Sequence, residues 1–64
     1  MNADAIIASA RAQSIYESGL LVHWMDAASN QSMSEYHVNL MHENFAKLAD
    51  AMGYDISKKT EVAA

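Results

Sequence analysis

Cysteine and proline are absent from this chain, and glycine occurs only at Gly19 and Gly53. Without cysteine there is no disulfide, no thiolate zinc site and no thiol redox chemistry. Without proline, and with so little glycine, the two strongest interrupters of a helix are nearly missing. Cations are scarce as well. Arg11, Lys47, Lys58 and Lys59 stand against eight Asp and Glu residues, giving a formal net charge of −4 and a pI of about 5.0. A nucleic-acid reader needs a basic stripe that releases counterions from phosphates, so nucleic acid is not an expected partner. The strongest apolar run, Gly19-Leu20-Leu21-Val22, is far shorter than the ~20 residues that span a bilayer. Met1-Asn2-Ala3-Asp4 lacks the positive start of a secretory signal. The expectation is a soluble, cytoplasmic protein with no membrane partner.

With 64 residues the chain is one small domain. A domain of this size hides only ~60% of its unfolded surface and usually needs a disulfide, a metal or oligomerisation. The first of these is excluded by composition, and oligomerisation is the expected aid.

Two long helical patterns are separated by the polar break Ser29-Asn30-Gln31-Ser32. The first helix is predicted from about Ala3 to Ala28, with Asn2 as its cap and Asp4 favourable at the positive end of the dipole. Gly19 lies inside it at a cost of ~1 kcal/mol relative to alanine, but no second breaker supports an interruption. Ser32-Met33-Ser34-Glu35 has the capping-box pattern, in which the Ser32 hydroxyl and the Glu35 carboxylate would satisfy each other's backbone amides. The second helix is accordingly predicted from about Met33 to Met52, stopped by Gly53 in a left-handed conformation. So short a turn makes the helices antiparallel. Residues 1–57 read as a helical hairpin and residues 58–64 as a flexible tail.

Val38, Met41, Phe45, Leu48 and Met52 recur at three–four spacing, an a/d seam for another helix. The first helix carries two apolar faces. One is bulky, with Ile6, Ile7, Leu20, Leu21, Trp24 and Met25. The other is a seam of Ala5, Ala8, Ala12, Ile15, Gly19 and Val22. A surface helix of a monomer needs one apolar stripe, and two imply neighbours on both sides. The predicted fold is therefore all-α: an antiparallel two-helix hairpin that dimerises into a four-helix bundle, with a short C-terminal tail. The expected oligomer interface is Ala8, Ala12, Ile15, Gly19, Val22, Val38, Met41, Phe45 and Leu48.

Little in the sequence points to chemistry. Glu17 falls within the bulky face, either exposed at a gap or part of a polar layer that sets helix register. His37 and His42 are five residues apart and so point about 140° away from each other. Asn39 stands three residues before His42, where a di-iron bundle would carry Glu. There is no phosphate-cradling glycine loop, nucleophile elbow or zinc-ligand pattern. No catalytic residue, metal or cofactor is expected, and the protein is not expected to be an enzyme.

The expected function is that of a small, acidic, homo-oligomeric accessory or regulatory protein that binds a larger protein, such as an inhibitor of phage or plasmid type. Trp24, Met25 and Leu21 would form the apolar part of the partner surface, tryptophan being enriched in interface hot spots. Glu35, Glu43 and Asp50 would meet a basic partner. The alternative is a metal- or ligand-binding bundle that uses Glu17 and the histidines.

Overall fold

A computed structural model describes residues 4–59, which form two helices, α1 (Ala5–Ala27) and α2 (Gln31–Met52), packed side by side as a hairpin. Among the described residues there is no strand.

Both helices are capped two residues away from the cap that the sequence suggests. The α1 cap is Asp4, whose side chain accepts a hydrogen bond from the Ile7 amide at 3.1 Å. The expected cap, Asn2, lies outside the described residues. The α2 cap is Asn30, which accepts from the Met33 amide at 3.2 Å. The Ser32–Glu35 capping box does not form. Asn and Ser cap about equally well, and here the helix starts at Gln31, which places Ser32 inside the first turn. Glu35 instead accepts from the Gln31 side chain at 3.0 Å.

The turn closes with two backbone bonds, Ser29 N–H to Asp26 O at 3.0 Å and Asn30 N–H to Met25 O at 2.8 Å. These are the paired bonds of a Schellman motif, and they require a left-handed residue at Ser29, whose φ is 57°. The same pair ends α2: Gly53 N–H to Asp50 O at 3.0 Å and Tyr54 N–H to Ala49 O at 2.9 Å. There the left-handed position holds glycine, at φ 86°, as the sequence predicts.

The hairpin interior is built from small residues. Ala8 and Ala49 are each only 7% exposed, as are Ser18 and Ser34. Among the described residues no large side chain is fully buried. Polar ties cross the seam in its place. Ser34 Oγ donates to Asp26 Oδ1 at 2.5 Å near the turn. Arg11 Nη1 donates to Asn44 Oδ1 at 3.2 Å, while Asn44 Nδ2 donates to the Leu40 carbonyl at 2.9 Å. At the open end the Asp4 amide donates to the Ala51 carbonyl at 2.9 Å, so a first-turn donor and a last-turn acceptor that would lack helical partners satisfy each other. Gly19 continues α1 without a break. A Cβ at Gly19 would meet Met41 Cε at 3.6 Å, an ordinary van der Waals contact, so packing within the hairpin does not demand glycine there.

Candidate functional site

A small-residue seam brings two helices together but leaves their bulky side chains outside. Ile6 is 84% exposed, Trp24 63% and Phe45 50%, and Ile7, Tyr16, Leu20, Leu21, Met33, Tyr36, Met52, Tyr54 and Ile56 are also exposed. At about 100° per residue, these groups sort into distinct surfaces.

The first surface is a ridge along α1. Ile6, Leu20 and Trp24 share one stripe with Gln13 and Glu17, on the side of the helix turned away from Ala8 and Ser18. Glu17 is exposed and accepts from the Gln13 side chain at 3.0 Å. It therefore occupies a gap in the apolar ridge rather than a buried polar layer within the hairpin. The Trp24 indole packs edge-on against the His23 ring, with centroids 5.4 Å apart. Leu21 is exposed and Met25 half-buried at the border of this ridge.

The second surface is a groove between the helices, about 390 Å³ in volume, lined by Ile15 from α1 and Val38, Met41, His42 and Phe45 from α2. Four of the nine residues assigned from sequence to an oligomer interface thus meet in one place. The rest divide. Ala8 is buried in the hairpin interior, Gly19, Val22 and Leu48 are half-buried, and Ala12 is exposed. The sequence assigned Ala8 to a neighbouring chain, but the hairpin itself covers it, because two backbones approach most closely where both helices carry small side chains.

The third surface is polar. Glu35, Asn39, Glu43 and Asp50 lie exposed along the outer side of α2, as their spacing predicts. Asp50 also joins Asp4, Arg11 and Lys47 around a depression at the open end. A further depression runs between α2 and the extended segment after Gly53, lined by His42, Phe45, Ile56, Lys58 and Lys59.

The histidines lie apart in character. His23 and His42 are exposed, whereas His37 is half-buried, packs edge-on against Tyr36 at 5.1 Å, and has a buried Nδ1 with no hydrogen-bond partner. Among the described residues no three His, Asp or Glu side chains are grouped to hold a metal ion. No helix among them is long and apolar enough to cross a membrane.

Sequence reasoning missed the polar ties. Neither Arg11–Asn44 nor Asp26–Ser34 has a local signal, since each pairs residues that only the closed hairpin brings together. No protein-family model matches the chain, and neither a curated protein nor a solved structure does so.

Proposed function

We propose that this chain is a non-enzymatic protein–protein interaction module: a small, acidic, cytoplasmic accessory protein that associates with itself and binds a larger protein, in the manner of a phage- or plasmid-type inhibitor. The supporting observation is the apolar surface. Monomeric soluble proteins scatter exposed hydrophobic residues singly, and contiguous apolar patches mark interaction sites. Here Leu20 and Trp24 expose neighbouring apolar side chains one turn apart, and Ile15, Val38, Met41 and Phe45 form a groove, on a hairpin with no large fully buried side chain among the described residues. A single layer of two helices does not enclose a core, and stable domains pack at least two layers.

The test is the molar mass in solution by light scattering across a dilution series, with a melting curve at each concentration. The expected result is a dimer whose melting temperature falls on dilution. A folded monomer with a concentration-independent melting temperature would remove the self-association half of the reading. The Trp24 ridge would then be the surface to test for a different protein.

A further inference from the structure

The hairpin leaves two apolar surfaces free, and they are not equivalent. We propose that a second copy of this chain seats in the groove of Ile15, Val38, Met41 and Phe45, stacking two hairpin layers about a twofold axis near the middle of both helices. This rests on the self-association reading above and names the face that carries it.

Three observations select the groove and its occupant. The first is charge. A twofold contact brings the same patch of both copies together, and a charge that lies on the axis meets its like. Each copy carries −4, so an uncharged patch opposes the fewest like charges. The groove is lined by Ile15, Val38, Met41, His42 and Phe45, with no Asp, Glu, Lys or Arg. The depression at the open end carries Asp4, Arg11, Lys47 and Asp50, and the one beside the C-terminal segment, which adjoins the groove at His42 and Phe45, carries Lys58 and Lys59. The ridge is disqualified by Glu17, which lies beside the midpoint of α1 (Ala5–Ala27). Two antiparallel copies related through the middle of that helix would oppose Glu17 to Glu17.

The second observation is position. Ile15 is near the middle of α1, and Val38, Met41 and Phe45 span the middle of α2 (Gln31–Met52). A groove at the centre of both helices lets a second hairpin lie along the full length of the first. Ala12 and Gly19 share the Ile15 stripe at three–four spacing, so the approach beside the groove is unobstructed.

The third is the missing core. Among the described residues only Ala8, Ser18, Ser34 and Ala49 are buried, so one hairpin layer encloses none of its large side chains, and a second layer is what would cover them.

The decisive experiment compares charge insertion on the two surfaces. Sedimentation equilibrium is run on the wild-type chain, on Phe45→Glu and on Trp24→Glu. A dimeric wild type, a dissociation constant raised at least about 100-fold in Phe45→Glu and one within about threefold in Trp24→Glu are expected, because an unpaired carboxylate buried in an apolar contact is strongly penalised. A dimer weakened by Trp24→Glu and indifferent to Phe45→Glu would overturn the groove assignment and leave the self-association reading standing. A monomeric wild type would overturn both. Because Phe45→Glu could unfold an obligate dimer, the wild-type chain supplies an independent measurement. In a mixture of differently isotope-labelled copies, intermolecular NOEs from Ile15, Val38 and Phe45 support the proposal. A dimer whose intermolecular NOEs come only from elsewhere, Ile6, Leu20 and Trp24 included, rejects it.

Discussion

The outer sides of the two helices differ although they belong to one layer. Along α2 the outer side is Glu35, Asn39, Glu43 and Asp50, with Tyr36 as its one large apolar group. Along α1 the outer side is Ile6, Leu20 and Trp24, and apolar residues occur around nearly the whole helix. An amphipathic helix suits the surface of an assembly, whereas one that is apolar all round suits its inside. The difference is what the proposed self-association would account for. The hairpin leaves apolar side chains of α1 exposed on the side turned away from α2.

The contrast between covered and uncovered positions can be broken most forcibly at the seam. Ala49→Leu forces a branched side chain between closely packed backbones and is expected to cost about 1–3 kcal/mol in urea unfolding. Glu43→Leu adds the same side chain to the outer side of α2 and is expected to stay within about 0.5 kcal/mol of wild type. Equal costs at both positions would mean that the seam is looser than its small residues indicate.

A smaller effect separates the two helix ends. Both use the same pair of backbone bonds, but one seats serine and the other glycine in the left-handed position. An L-residue there costs roughly 1–2 kcal/mol. Ser29→Gly is therefore expected to raise stability by about 0.5–1 kcal/mol and Gly53→Ala to lower it by about 1 kcal/mol, both read from thermal melts at fixed protein concentration. If Ser29→Gly proved destabilising, the serine side chain would have a role in the turn beyond its backbone conformation.

The smallest expected effect sharpens the reading of the ridge. Trp24→Ser removes a large side chain that is 63% exposed, so the isolated protein should lose no more than about 0.5 kcal/mol in the same melts. A loss above about 2 kcal/mol would mean that the indole is covered in solution, and the site of self-association would move from the groove to the ridge.

The existence of both helices, the site of the turn and the stop at Gly53 were legible because they depend on local chemistry: few breakers, capping residues and a glycine where the backbone turns left-handed. The start of α2 was not. Asn30 and Ser32 are both competent caps, and local sequence does not rank them when tertiary bonds such as Ser34 to Asp26 also act. The apolar faces were visible in the spacing, but their assignment to neighbours was only partly so. Ala8 reads as an interface residue of either kind, and its place in the interior emerges only when Ala49 and Ser34 are seen to be small as well. The groove combines one residue of α1 with four of α2, a grouping set by the rotation of the two helices about their own axes. Periodicity leaves that rotation undetermined.

The backbone bond from the Asp4 amide to the Ala51 carbonyl also bears on connectivity. It holds the start of one helix against the end of the other, so the described chain runs almost in a ring, interrupted on one side and bridged on the other by Ser29 and Asn30. A fold of this shape depends little on which helix is made first. Opening the chain between Ser29 and Asn30 would remove the Asn30 N–H to Met25 O bond at the turn and leave the Asp4–Ala51 bond as the backbone tie between the helices.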